Sequence, residues 1–410
     1  MNVIYERCCG MDVHKNTIVA CLFSGRKKEI RSFSTMTSSL LELIDWLKSA
    51  GCQCVAMEAT GSYLTPIYNL LEMEEINTLV VNAQHIKAVP GRKTDVKDSE
   101  WIADLLRHGL LNGSYIPKRE QRELKELVRY RRSMVQERAR ELNRIQKVLE
   151  GANIKLASVI SEIDGKSSRD MLDMLVAGCN DVKAIADKAR RQMRKKIPQI
   201  EEAFHGFMGD HQRLMLRLML QHIDILEAQV LSLDHEIQEK MKPVNEQVCL
   251  IDTIPGVGER SAQVIIAEIG VNMNQFPSAA HLASWAGLCP GNNESAGKRK
   301  SGKTRKGSDI LRATLIECAK VAGHLKNTYF SSQYTRIAAR RGKNRATVAV
   351  AHTILKTVYY MLKSNSPYKE LGSDFFELRQ KNQIVKKTVK RLEALGFNVT
   401  IEQGIATSTA

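Results

Sequence analysis

Two neighbouring runs near the start of the chain constrain the fold most. Thr17-Ile18-Val19-Ala20-Cys21-Leu22-Phe23 reads as a buried strand. Ile30-Arg31-Ser32-Phe33-Ser34 alternates with the two-residue period of a half-buried strand. The basic turn Gly25-Arg26-Lys27-Lys28 between them leaves room only for an antiparallel hairpin. Cys8 to Val13 supplies a strand just ahead of it. A helix follows, with Thr37 or Ser38 as its cap, Leu40, Leu41, Leu43, Ile44 and Leu47 on its apolar face, and Gly51 at its end. Next come a short strand over Cys54–Met57, a helix from Tyr63 to Met73, a strand over Thr78–Val81 and a last helix from Asp95 to Leu110. The order is β-β-β-α-β-α-β-α.

That order is the one of the RNase H-like fold, and it places a first domain over residues 1–117. Residues 118–247 read as long helices with a small helical insertion. The first helix keeps Leu124, Val128, Val135, Leu142, Ile145 and Leu149 on one face, and its other faces are rich in arginine: Arg122, Arg129, Arg131, Arg132, Arg138, Arg140 and Arg144. The second carries Leu216, Met219, Ile223, Leu226, Val230, Leu233 and Ile237 at alternating spacings of three and four. Such a seam serves a dimeric coiled coil or an antiparallel hairpin with the earlier helix, and both readings stay open. A third, mostly α region spans 248–365. The tail 366–410 holds few motifs, and Ala406–Ala410 reads as disordered.

At 410 residues the chain suits two or three domains. Its 43% hydrophobic and 26% charged residues exclude a disordered or collagen-like chain. No run approaches the ~18 apolar residues of a membrane span, and the N-terminus lacks a signal-peptide core. Nine cysteines without zinc-ligand spacing read as reduced thiols of a cytoplasmic protein. Lys and Arg exceed Asp and Glu, 61 to 45, for a formal charge of +16. Nucleic acid is the commonest partner of such an excess; a solubilising surface is the alternative.

Four carboxylates oppose that trend. Asp12 and Glu58 interrupt apolar strands, where an unpaired acid is costly. Asp95 and Asp98 stand three apart at a helix start, a spacing that also serves capping. In an RNase H-like sheet the four converge at one edge. Two Mg²⁺ ions, or Mn²⁺, relieve the repulsion of such a cluster and suit phosphoryl transfer. Further on, Ile254-Pro255-Gly256-Val257-Gly258 joins two helices as a helix-hairpin-helix does, with Gly256 and Gly258 leaving backbone N–H groups open to a phosphate. A stretch rich in Gly, Ser and cations follows, with Ser295, Lys298, Arg299, Lys300, Ser301, Lys303, Arg305 and Lys306. It reads as a phosphate-wrapping loop ahead of a helix capped by Ser308 or Asp309. A serine in such a loop is a candidate nucleophile toward phosphorus. Arg340 and Arg341 belong to a last basic cluster over 336–345.

Gly10-Met11-Asp12-Val13-His14-Lys15, Met57-Glu58-Ala59-Thr60-Gly61, Lys93-Thr94-Asp95-Val96-Lys97-Asp98-Ser99, the Pro255-Gly256-Val257-Gly258 turn and Gly287-Leu288-Cys289-Pro290 together resemble the DEDD transposases of bacterial insertion sequences, the group guided by a bridge RNA. The resemblance implies a RuvC-like domain whose metal-binding tetrad is Asp12, Glu58, Asp95 and Asp98. It also implies a transposase domain whose serine nucleophile maps onto Ser295. Ala296 stands where the family commonly has glycine, and Ser301 also precedes a glycine, so both serines remain candidates. The implied partners are DNA at element ends and target, a structured bridge RNA, and further copies of the chain in a dimer or a tetramer on DNA. Two other functions compete. One is a Holliday-junction endonuclease that uses water with the same tetrad; the other is a non-catalytic nucleic-acid-binding protein.

Overall fold

A computed structural model of the chain describes residues 3–59, 61–82, 98–291, 293–295, 298–301, 304 and 306–400. The chain divides into two compact units, Met1–Arg119 and Glu120–Ala410. The first unit holds strands β1 (Arg7–Val13), β2 (Thr17–Ser24) and β3 (Lys27–Ser34), helix α1 (Thr37–Ser49), strand β4 (Cys54–Glu58), helix α2 (Leu64–Met73), strand β5 (Thr78–Val81) and helix α3 (Asp98–Arg107). The sheet order is β3-β2-β1-β4-β5. β1, β2 and β3 pair antiparallel, and β1 with β4 and β4 with β5 pair parallel. This mixed five-stranded sheet fits an RNase H-like domain. Thr37 and Ser38 do not cap α1: Met36 is the N-cap and no side chain caps the helix. The hydroxyl that acts there is that of Ser39, which accepts from the Ser34 N–H at 3.1 Å and so holds the strand end instead.

The period of two sorts the strands' side chains onto two faces. Cys9, Met11, Val55 and Met57 pack with Leu40, Leu43 and Ile67 of α1 and α2. Cys8, Cys54 and Ala56 pack with Ile102, Ala103 and Leu106 of α3. Gly10 lies on the α3 side, and a Cβ there would stand 2.3 Å from both the Ser99 carbonyl oxygen and the Ala103 nitrogen. Helix backbone therefore rests directly on strand backbone, which no other residue at position 10 permits.

The second unit is built on two long helices, α4 (Arg119–Gly151) and, after an insertion, α9 (Asp210–Met241). The insertion consists of α5 (Leu156–Val159), α6 (Lys166–Val176), α7 (Val182–Ala186), a 3-10 turn (Arg191–Lys196) and α8 (Ile197–Ala203). Leu216, Leu220 and Ile223 of α9 share a core with Ile145 and Leu149 of α4 and with the insertion's Leu172, Ile185 and Ile200. At the other end Ile237 and Met241 share a core with Leu124 and Val128. The α9 seam is thus buried in an antiparallel hairpin with α4, the second of the two readings above. Ion pairs Arg131–Asp234, Arg138–Glu227 and Lys240–Glu123 line the join.

Helices α10 (Asn245–Asp252), α11 (Glu259–Ile269) and α12 (Ala279–Trp285), strands β6 (Asn293–Ser295) and β7 (Lys298–Ser301), and helices α13 (Asp309–His324), α14 (Tyr329–Arg341), α15 (Lys343–Ser364) and α16 (Phe375–Ala394) complete the unit. Ile251, Ile265, Leu282, Leu315, Ile354 and Leu355 centre its core. The tail, poor in motifs, still forms α16, whose Phe375 and Phe376 rings lie 5.2 and 5.1 Å from Tyr329. Residues 406–410 lie outside the described residues. All nine cysteines are free thiols. Burial pushes Cys8 up to about 12 and Cys54 up to about 11, which suits small apolar core residues.

The contact at Gly10 gives a direct test. Gly10→Ala forces α3 off the sheet and lowers the stability of the first unit by about 3 kcal/mol, read by urea unfolding. An unchanged unfolding midpoint removes the argument for direct backbone contact.

Candidate functional site

The strand register brings the first two acids together. Met11 stands opposite Met57 across the parallel β1–β4 pair, so the next residues along are Asp12 and Glu58. Both continue the series that faces α3, Cys8-Gly10-Asp12 and Cys54-Ala56-Glu58. Asp98 opens α3 one residue before Ser99, whose carbonyl touches Gly10, and it shares a helical stripe with the buried Ile102 and Leu105. Asp12 Oδ2 lies 3.1 Å from His14 Nε2. His14 is exposed, as expected of a surface residue, yet it touches the acid. Glu100 pairs with Lys28 at 2.7 Å. Asp95 lies outside the described residues. Among the described residues, no three His, Cys, Asp or Glu side chains stand close enough to hold a metal ion. The donor chemistry nonetheless fits a hard divalent cation. The three described acids offer oxygen, and the nearest thiol on that face, Cys21, pairs with Gly10, two residues (~7 Å) short of Asp12.

In the second unit, the glycine turn between α10 and α11 serves two purposes. Gly256 has φ +85°, and a Cβ on it would stand 2.7 Å from the Cys318 carbonyl oxygen and 2.6 Å from the Ala322 nitrogen. Gly256 therefore seats the turn on α13. Gly258 is the N-cap of α11; it is exposed, and no side chain caps the helix there.

The stretch read as a loop is a two-stranded hairpin. Ser295 faces Lys298 next to the turn, Glu294 faces Arg299, and Asn293 faces Ser301. Pro290 bridges to Thr304 at the base. Just below, a Cβ on Gly307 would stand 2.4 Å from the Gly287 nitrogen, so the two ends of the segment touch. Lys306, Arg340 and Arg341 are exposed. Lys298, Arg299 and Lys300 lie on β7; Lys303 and Arg305 lie outside the described residues.

Ser308 caps α13, accepting from the Leu311 N–H at 3.3 Å, and donates to Glu268 Oε2 at 2.9 Å. Glu268 is 1% exposed. Its carboxylate also accepts from Arg129 Nε at 2.7 Å and Nη2 at 3.1 Å, with Lys125 Nζ at 3.1 Å. Burial alone would push this carboxyl up; the Arg129 hydrogen bonds and the charges of Lys125 and Arg129 outweigh it and hold it below the usual value. Burial pulls Lys125 below its own usual value. Sequence reasoning passed over Glu268. The signal was an acid inside the apolar run Val264–Ile269, the same signal that marked Asp12 and Glu58.

The arginines of α4 have internal partners. Arg129 meets Glu268, Arg131 meets Asp234, Arg132 meets Glu317, Arg138 meets Glu227 and Asp164, and Arg140 and Arg144 meet Glu137 and Glu141. Arg129, Arg131, Arg132 and Arg138 thus tie α4 to the rest of the unit, while Arg140 and Arg144 pair within the helix and stay exposed.

The sheet with acids at adjacent strand ends and part of the mostly helical second unit are what two transposase family models match. A DEDD transposase model of the IS110 type matches residues 9–154, and a model of the transposase IS116/IS110/IS902 family matches residues 249–335. The chain belongs to the IS110 family of DEDD transposases. It is 24% identical over 371 residues to the transposase for insertion sequence element IS1111A of Coxiella burnetii, covering 88% of this chain and 90% of that one. It is 22% identical to a probable family 20 transposase of Pseudomonas aeruginosa, over 88% of this chain and 94% of that one. It is 27% identical to the pilin gene-inverting protein of Moraxella bovis, over 34% of this chain and 45% of that one. Among the described residues, no helix is long and apolar enough to cross a membrane.

Glu268→Ala leaves Arg129 and Lys125 without their buried partner and lowers stability by about 3–5 kcal/mol in urea unfolding. Because the folded carboxyl lies below its usual 4.5, its contribution is full at neutral pH and is lost as pH falls through the folded value. The acid limb of the stability–pH curve is then flatter in the variant than in the parent.

Proposed function

We propose that this chain is the recombinase of an insertion sequence, cutting and rejoining DNA with a metal-binding acidic tetrad and a serine nucleophile. One observation carries the reading: Asp12 and Glu58 lie side by side at the ends of parallel strands, on the face that α3 enters with Asp98. Asp12, Glu58, Asp95 and Asp98 would hold two Mg²⁺ ions. When bound, these supply charge stabilisation at the phosphate and at the leaving oxygen. Ser295, at the tip of a hairpin with tethered ends, attacks the phosphorus through Oγ. A P–Oγ bond forms, the bond to the 3′-oxygen breaks, that oxygen takes the electron pair, and the hydroxyl proton passes to solvent. The product is a DNA-linked phosphoserine, and a second transfer joins donor to target. A relative named for inverting a pilin gene favours strand exchange over the simple cleavage of a junction endonuclease.

In this reading a bridge RNA sets the target by base pairing. Gly258, the hairpin cations and the exposed Lys306, Arg340 and Arg341 serve phosphate contacts. The tetrad and the serine belong to different units, and a dimer or tetramer lets two copies share a site. Leu214, Leu218 and Ile225 lie exposed on α9 opposite its buried seam and offer a surface for a second copy.

The test incubates full-length protein with DNA of its element ends, the flanking transcript and Mg²⁺, and looks for an adduct resistant to detergent. Ser295→Ala abolishes the adduct and Ser301→Ala keeps it. Asp12→Ala slows its formation roughly 100- to 1,000-fold. A mixture of the Asp12 and Ser295 variants recovers activity if copies share a site. An adduct that survives Ser295→Ala but not Ser301→Ala reassigns the nucleophile. No adduct, with cleavage intact, returns the protein to the endonuclease class.

A further inference from the structure

Four α4 arginines are tied to acids of other elements, which leaves exposed cations without such partners as candidates for further phosphate contacts. Two runs hold six cations in nine residues without an acid: residues 298–306 and, in the insertion, Lys188-Ala189-Arg190-Arg191-Gln192-Met193-Arg194-Lys195-Lys196. All six of the insertion's cations are exposed. The insertion's run lies between the two family-matched segments, which end at 154 and resume at 249.

The turn is fixed to its surroundings at both ends. Ala189 is buried, the Arg190 N–H donates to Ser167 Oγ at 3.1 Å, and the Arg190 guanidinium pairs with Asp170. At the far end Lys196 Nζ donates to the Val159 carbonyl at 2.9 Å, and Ile200 anchors the following helix. Between the anchors the backbone winds as a 3-10 turn that Arg191 enters at φ +49°, a conformation unfavourable for an L side chain. Arg191, Arg194 and Lys195 point outward from this frame, with no ion pair to an acid among the described residues. Glu162 lines the cleft beside Lys195, and Glu201 and Glu202 follow on α8.

We propose that this turn is a contact for the phosphate backbone of duplex DNA, separate from the transposase core. The choice of DNA rests on the transposase reading, which makes DNA the substrate, and on the cations being held in an anchored frame, which suits contacts to a regular phosphate backbone; RNA is the alternative that the test separates.

The experiment measures binding of full-length protein to a labelled 40-base-pair duplex across a salt series, with an RNA hairpin of equal charge in parallel. The variant is Arg191→Ala/Arg194→Ala/Lys195→Ala, which leaves the anchoring Arg190 and Lys196 in place; Arg191→Lys/Arg194→Lys keeps the charge. Loss of three phosphate contacts makes the plot of log affinity against log salt shallower by about 2.7 and, with the two lines meeting near 1 M, weakens DNA binding roughly 500-fold near 0.1 M salt. The lysine variant binds as the parent does. DNA binding unchanged in the alanine variant, an effect on RNA alone, or equal loss in the lysine variant overturns the inference. A parent protein that binds no DNA at all would instead overturn the transposase reading.

Discussion

The second unit turns on one buried carboxylate. Glu268 sits among apolar side chains of α11, where an unpaired charge would cost several kcal/mol. Its solution is to gather donors from two other elements. Arg129 binds it with two hydrogen bonds, Lys125 adds a second cation, and both come from the long helix α4. The fourth donor is the hydroxyl of Ser308, which also caps α13. One charge therefore fixes the start of α13 against α11 and α4. The serine hairpin ends just upstream, where Gly307 meets Gly287. In the proposed chemistry, this is the base from which Ser295 is presented.

The first unit reaches its own site by removing a side chain. Gly10 lets α3 rest on β1, and that contact sets how close the start of α3, with Asp98, comes to the sheet that carries Asp12 and Glu58. A Cβ at position 10 would lift the helix by an ångström or more, on the order of the gap to normal contact distance. In the proposed chemistry, a residue with no reactive group of its own thereby sets how close α3 comes to the strands that carry Asp12 and Glu58. Within the second unit, Arg129, Arg131, Arg132 and Arg138 of α4 are matched by acids of other elements, and Arg140 and Arg144 by acids of α4 itself.

Much of this was legible in the residues. Periodicity placed β3 and the two long helices, and continuous apolar runs bounded by turn residues placed the strands buried on both faces, because both marks record burial. Asp12 and Glu58 were conspicuous because acids are costly in apolar strands. Ser308 was legible as a cap because it precedes an apolar helical run. Glu268 carried the same signal as Asp12 and went unread, since an acid in a helix is ordinary and only its neighbours reveal its burial. The hairpin over 293–301 was read as a loop because short polar strands have no apolar face to betray them. The helix over 375–394 was missed for a similar reason: beyond its first turn it buries little.

The sequence by itself determined the elements, their order, the acids that break the apolar pattern, and the family to which these belong. It could not decide how elements meet. The seam of α9 serves a second copy or α4 equally well as a pattern, because heptad spacing describes one surface and not its partner. Only the tertiary structure chose α4, where Glu123, Arg131 and Arg138 find Lys240, Asp234 and Glu227 along the antiparallel join. The same holds for charge. Composition gives its sum, but pairing depends on distances between residues a hundred positions apart, and those exist only once the chain has folded.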